Sequence, residues 1–232
     1  MDLDAIFPYS VFRLWGVEVH DSVVVTWGLM AVLALLSWIT TRRLAQQPGA
    51  LQNAMEAIVE AIESLVSEVT PYDPRYFIPF IGTLAIYLVA ANTVSVAPGI
   101  GSPTRDLNTP LALALVVFLS VHIYGWLLIG PRRYLRAYVQ PSWLLLPFNV
   151  ISEVTRTIAL ALRLFGNMLS GELVVAILLL FGALLIPVPM QLFGLLIGAI
   201  QAYVFTLLAM VYISAALGSP EQALSENRRN TK

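Results

Sequence analysis

From residue 173 to residue 220 the chain runs 48 positions without a charged side chain. A stretch that apolar suits a bilayer, where a helix satisfies every backbone polar group within itself. Residues 23–41, 76–97 and 111–129 are each close to the roughly 20 residues that cross a hydrocarbon core of about 30 Å. With 58% hydrophobic and 12% charged residues, the chain reads as an integral membrane protein.

The placement of charge orients it. Arg42 and Arg43 close the first run, and Arg132, Arg133 and Arg136 close the third. Positive charge is retained on the cytoplasmic side, so these ends are expected inside. The acidic N-terminal tail and the loop 98–109 are then outside, and the basic end of the C-terminal tail 221–232 inside. Parity asks for about five crossings. The N-terminus lacks a basic region and a small-residue cleavage site, so the first helix is expected to remain as a span.

Residues 51–70 differ from their neighbours. Leu51, Met55, Ile58, Ile62, Leu65 and Val69 fall on one helical face, with Glu56, Glu60, Glu63 and Ser67 opposite. An amphipathic helix at the cytoplasmic surface is expected, packed on its own bundle or docking a partner's helix. Asn108-Thr109-Pro110 has the form of a helix cap followed by proline at the first helical position. Ile186-Pro187-Val188-Pro189 reads as a turn. The apolar segment before it is too short to span alone, so its helix must extend back toward Trp143. The result is a pair of long helices, 143–185 and 190–217, which must tilt strongly to fit the bilayer. The fold class is therefore all-α integral membrane, in a single polytopic domain over 1–232.

Arg163 interrupts the lipid-like pattern. Arginine does not give up its charge in a protein, and holding one at mid-bilayer costs about 2.5–3.5 kcal/mol on insertion scales. A task would repay that cost, most simply meeting an anion within the membrane; a structural arginine on backbone carbonyls is the alternative. Arg156 and Ser170 lie seven residues to either side, nearly in line with it, and Asn167 is one turn away. Glu172, nine residues on, is rotated by about 180°. The two charges therefore face different surroundings, as an ion path with two offset inlets requires. Gly194 and Gly198 share a face with Gln201, and such spacing admits a close helix that brings the Gln201 amide toward Arg163; plain small-residue packing is the alternative. Asn92 is an ion-path or helix-gluing amide, His122 a packing residue before a ligand, and Glu153 is placed to pair with Arg156.

No cysteine is present, and no metal-ligand cluster, phosphate-binding glycine loop or nucleophile triad is evident. Nothing in the chain suggests a cofactor, a nucleic-acid partner or the means to make or hydrolyse ATP by itself. No internal repeat supports a self-contained secondary transporter, the rival reading, in which Glu172 and Asn92 would form the site.

The words Leu162-Arg163-Leu164-Phe165-Gly166-Asn167-Met168, Gly171-Glu172 and Gln201-Ala202-Tyr203-Val204-Phe205 resemble those of subunit a of the F-type ATP synthase. The likeness covers residues 149–217 and extends more weakly to Asn92 and Pro98. It implies a non-catalytic stator subunit beside a ring of c subunits, working with b-type peripheral-stalk subunits in a bacterial plasma (inner) membrane. It further implies that Arg163 meets the ring carboxylate and separates two half-channels for H⁺ or Na⁺. Asn92, Asn167, Glu172 and Gln201 would then line or support those channels, with Arg156, Ser170 and His122 as secondary candidates. Gly194 departs from the titratable residue that many relatives carry seven positions before the glutamine. The segment Glu153-Val154-Thr155-Arg156-Thr157 is similar to the N-type branch, for which sodium transport is also an expectation.

Overall fold

The computed structural model describes residues 10–14, 17–42, 49–95, 101–139, 143–180 and 187–218. Two short antiparallel strands, β1 (Ser10–Leu14) and β2 (Val17–His20), lead into α1 (Asp21–Thr41). There follow α2 (Ala50–Val69), α3 (Ile78–Val94), α4 (Asn108–Ile129), α5 (Pro131–Val139), α6 (Leu146–Leu180) and α7 (Pro187–Leu217). Four of these helices are long and apolar enough to cross a membrane, and α3 is a shorter apolar helix of 17 residues. The ribbon β1–β2, which precedes the first of them, and the short helix α5 are not among the expected elements; the class of fold is the helical membrane one expected.

The core is the seam where α3, α4, α6 and α7 pack together. Phe77, Ile81 and Leu88 of the α3 segment, Leu160 and Leu164 of α6, and Phe205, Met210 and Ile213 of α7 are fully buried there. α1 lies on the rim. Trp27, Met30, Leu35 and Ile39 remain exposed, as suits a surface whose solvent is lipid. At its far end the Arg42 guanidinium sits 3.5 Å above the Trp38 ring, a pairing typical of a membrane–water boundary.

The amphipathic helix is present as α2, but only part of its apolar face packs. Ile62 and Val66 are buried against α3 and α7, whereas Met55, Ile58 and Val59 stay exposed. Its end is tied to the end of α7. The Ser214 hydroxyl donates to the Val69 carbonyl at 3.1 Å, and the Tyr72 hydroxyl to the Leu217 carbonyl at 3.4 Å. At the end of α4, Gly130 takes a φ of 88°, which costs a glycine little, and redirects the chain into α5.

α6 has 35 residues and α7 has 31. At 1.5 Å per residue they reach about 52 and 46 Å, well beyond a hydrocarbon core of roughly 30 Å, so both must incline or run partly along the surface. Arg163 is the midpoint of α6, with 17 residues on either side.

Two local expectations change. The cap of α4 is not Asn108: Leu107 holds the cap position without a side-chain cap, and the Asp106 carboxylate just before it accepts from the Asn108 backbone N–H at 3.1 Å. Pro187 and Pro189 belong to the first turn of α7, where missing N–H groups cost nothing. The rest of the expected turn, at 181–186, lies outside the described residues, as do Arg43, Pro98, the N-terminal tail before residue 10 and the C-terminal tail from 219.

Candidate functional site

One end of the bundle holds a cluster of charges drawn from three elements. Arg105, in the short 3₁₀ turn Pro103–Arg105 that precedes α4, is only 8% exposed. Its Nη2 lies 2.6 Å from Asp21 Oδ2 at the start of α1, and its Nη1 lies 3.4 Å from Glu172 Oε2 on α6. The Ser102 backbone N–H donates to Glu172 Oε1 at 3.1 Å. Beside this pair of contacts, the Ser22 hydroxyl donates to Asp106 Oδ2 at 2.7 Å, and the His20 ring lies 4.0 Å from the same oxygen. The run Ser102-Pro103-Thr104-Arg105-Asp106 is buried throughout, which a polar loop achieves only when its groups find partners.

A line of polar contacts leads inward from that cluster. The Ser102 and Thr104 hydroxyls lie 2.6 Å apart, and the Thr104 hydroxyl donates to Asn92 Oδ1 at 3.1 Å. Asn92 Nδ2 donates to the Gly198 carbonyl on α7 at 2.9 Å. A Cβ at position 198 would stand 3.0 Å from that of Asn92 and 3.2 Å from Met168 Cε, so glycine lets α3 come this close. Gly194 plays no such part: a Cβ there would meet nothing within 4 Å.

One turn beyond Gly198, the Gln201 amide is buried. Its Oε1 accepts from Asn167 Nδ2 at 3.4 Å, while its Nε2 has no hydrogen-bond partner among the described residues. Gln201 therefore meets Asn167 rather than Arg163, the contact expected from glycine spacing. The reason is rotational: Arg163 lies on the outer face of α6, exposed, with no hydrogen bond or ion pair among the described residues. Around it the outer face of α6 is small, with Ala159, Gly166 and Ser170 exposed. The Ser170 hydroxyl turns back to the Asn167 carbonyl at 3.0 Å. Arg163 and Glu172 do face apart, as the nine-residue spacing requires.

The opposite end of the bundle holds a cavity of about 270 Å³ lined in part by Tyr134, Asn149, Ser152, Glu153, Arg156 and Tyr212. Here the expected Glu153–Arg156 pair does not form. The Glu153 carboxylate lies 3.7 Å from the His122 ring on α4, and the Arg156 guanidinium lies 5.8 Å over the Tyr212 ring on α7. Adjacent helices supplied better-placed partners than the next turn of the same one. His122 also lies 2.9 Å from the Phe118 carbonyl, and its ring packs on Phe118 and Tyr134, in keeping with a packing role.

Sequence reasoning singled out Asn92, Asn167, Glu172 and Gln201, and these four lie along one polar seam. It missed Arg105, Asp21, Ser102 and Thr104 as its members. The available signal was opposite charge at the same end of two neighbouring spans, Asp21 opening one and Arg105 just preceding another.

Long apolar helices around an internal polar seam, with an arginine held at mid-helix on the outside, define a multi-pass helical membrane protein. Residues 23–214 match the family described as ATP synthase A chain. The chain is 44% identical to ATP synthase subunit a 2 of Bradyrhizobium sp. over 90% of its own length and 94% of the relative's. It is 44% identical to ATP synthase subunit a 2 of Pelobacter propionicus, over 96% and 97%. With ATP synthase subunit a of Nitrosospira multiformis the identity is 46% over 89% and 83%. The chain belongs to the ATP synthase subunit a family.

Proposed function

We propose that this chain is the stator subunit of a rotary ATP synthase, conducting H⁺ or Na⁺ through two half-channels to and from carboxylates on a c-subunit ring. In this reading it is a single polytopic domain in a bacterial plasma membrane, N-terminus outside and C-terminus cytoplasmic, and it makes no ATP itself. Ion flow loads and unloads the ring, and rotation drives catalysis elsewhere in the complex, which also includes b-type peripheral-stalk subunits.

The observation that carries the reading is Arg163. It sits at the middle of a 35-residue helix, exposed, without a partner from the described chain. A permanent cation at that depth calls for an anion, and here the anion must come from another molecule. The small residues beside it, Ala159, Gly166 and Ser170, allow a second helix to approach closely enough to present one. The seam from Asp21 and Arg105 through Glu172, Asn92 and Gln201 is the natural candidate for the outer half-channel. The cavity at Asn149, Ser152 and Arg156 suits the inner one. Blocking direct passage between them is the work Arg163 would do, because a fixed positive charge repels a free cation.

Replacing Arg163 with alanine tests this. Assembly should survive, because the side chain is exposed and no hydrogen bond or ion pair among the described residues is lost, while ATP-driven ion pumping in proteoliposomes should be abolished. Pumping retained by the assembled Arg163→Ala complex would remove the basis for the reading.

A further inference from the structure

The chain leaves α4 through Gly130 after 22 residues. A helix of that length is about 33 Å long, so the elbow into α5 falls where the chain emerges from the hydrocarbon. Tyr134 fixes how α5 is turned about its own axis. Its ring is 2% exposed, lies where a Cβ on Gly125 would overlap it, and stands edge-on to the His122 ring at 5.8 Å between centroids. Arg132 and Arg136 are two residues to either side of Tyr134, about 200° round the helix. The packing that buries the tyrosine therefore turns both arginines outward, and both are exposed. One turn apart on a single face, their Cβ atoms stand about 5–6 Å from each other.

Neither arginine has a hydrogen bond or ion pair among the described residues. The sequence brings no counter-charge close by: residues 107–152 include no Asp or Glu, and the Glu153 carboxylate lies 3.7 Å from the His122 ring. Beside this charge the surface is oily. The turn Trp143–Leu145 packs against α5, as does the end of α4. Trp143, Leu144 and Leu127, at 77%, 76% and 74%, are the most exposed large apolar side chains among the described residues, and Leu135, between the arginines, is also exposed.

Such a surface asks for an anion and an apolar neighbour together. Water serves only the arginines, a hydrocarbon tail only the apolar side chains, and a solvated acidic peptide leaves the apolar side chains uncovered. A phospholipid of net negative charge carries both parts in one molecule. Arginine's planar fork suits its phosphate, to which it can donate two parallel hydrogen bonds. A zwitterionic lipid has the same phosphate but brings its own cation, which the arginines repel.

We propose that the α4–α5 elbow is a docking surface for anionic phospholipid: Arg132 and Arg136 hold the headgroup phosphate, and Leu127, Leu135, Trp143 and Leu144 lie along its acyl chains.

The test places the whole ATP synthase complex in phosphatidylcholine vesicles doped with phosphatidylglycerol that carries a diazirine in an acyl chain, or with phosphatidylcholine carrying the same group. Cross-links are mapped by mass spectrometry after illumination. In the native complex, half-maximal labelling of segment 127–144 should need on the order of thirtyfold less of the phosphatidylglycerol probe, near fivefold for each arginine. Met30 and Leu35 of α1, exposed at mid-span, should take both probes alike. Arg132→Gln and Arg136→Gln, made singly, should each lose about fivefold of the preference, and together most of it. Replacing both by lysine, which keeps the charge, should retain it within about threefold. Equal demand for the two probes in the native complex would overturn the proposal before any variant is made. Labelling of the elbow by neither probe would overturn it too, since another subunit would then cover that surface. So would a preference left unchanged by the glutamine variants.

Discussion

Asn92 and Gly198, 106 residues apart in sequence, are joined by a hydrogen bond of 2.9 Å from the amide of one to the backbone carbonyl of the other. The bond crosses from α3 to α7 at a glycine whose added Cβ would stand 3.0 Å from that of Asn92, and it holds the middle of the polar seam. The Gly198 carbonyl is also placed to serve its own helix, so Asn92 uses a second lone pair rather than competing for the first.

Gly198→Ala should therefore act through Asn92. The added methyl would meet the Asn92 Cβ at 3.0 Å and Met168 Cε at 3.2 Å, and Met168 can move while the α3 backbone cannot. The expected cost is about 1–3 kcal/mol of overpacking, read as a lower melting temperature of the purified complex. Gly194→Ala, in open space within α7, should leave the melting temperature unchanged or raise it slightly, because alanine is the better helix former. Equal effects of the two alanines would mean that α3 and α7 do not approach as described.

Gln201→Leu separates stability from transport. Among the described residues the hydrogen bond of its side chain is long, at 3.4 Å, and its buried Nε2 meets no hydrogen-bond partner, so removing the amide gives up little. Assembly stability should change by less than about 1 kcal/mol. ATP-driven pumping should fall on the order of tenfold, equivalent to about 1.4 kcal/mol of barrier. A large loss of stability with transport intact would assign Gln201 to packing.

The absence of cysteine in the native sequence makes the cavity at the Arg156 end open to direct probing. Ser152→Cys, on its lining, should react with a membrane-impermeant maleimide added from the side exposing the ATP-binding sectors. Leu164→Cys, fully buried in the core, should react at least tenfold more slowly under the same conditions. Comparable rates would exclude an aqueous vestibule there.

The divided face of α2 predicts a contrast between two apolar residues of the same helix. Val66 is completely buried and Met55 is 38% exposed. Val66→Ala removes two buried methyl groups, at about 0.8 kcal/mol each. Met55→Ala should stay within about 0.5 kcal/mol in the isolated subunit. Thermal unfolding in detergent reads both, and a larger effect at Met55 would place that end of α2 against the bundle instead of outside it.

Much of the architecture is legible in residue order because oil imposes strict terms. A backbone in hydrocarbon must satisfy itself, so each long apolar run declares a helix, and the excess length of 143–185 already implied an inclined one. The periodicity of a single helix was equally readable: Arg163 and Glu172, nine residues apart, point away from each other as the 100° step demands. Local rules failed where a better partner stood on another helix. Glu153 turned to His122 and left Arg156 to Tyr212, although three residues of separation would have allowed them to pair.

By itself, then, the sequence determined that the long apolar runs are helical, how charges are spaced around each of those helices, and that Arg163 falls near the middle of one. Only the tertiary structure decided who those charges meet. Helical periodicity fixes an angle about one axis, but the opposing group depends on which helix packs there and how closely. That is set by contacts distant in sequence, such as the Asn92–Gly198 bond and the Arg105 bridge from Asp21 to Glu172. Arg105 reads in sequence as one charge in a loop; folding, by burying it between two carboxylates, makes it the nearest charge to Glu172.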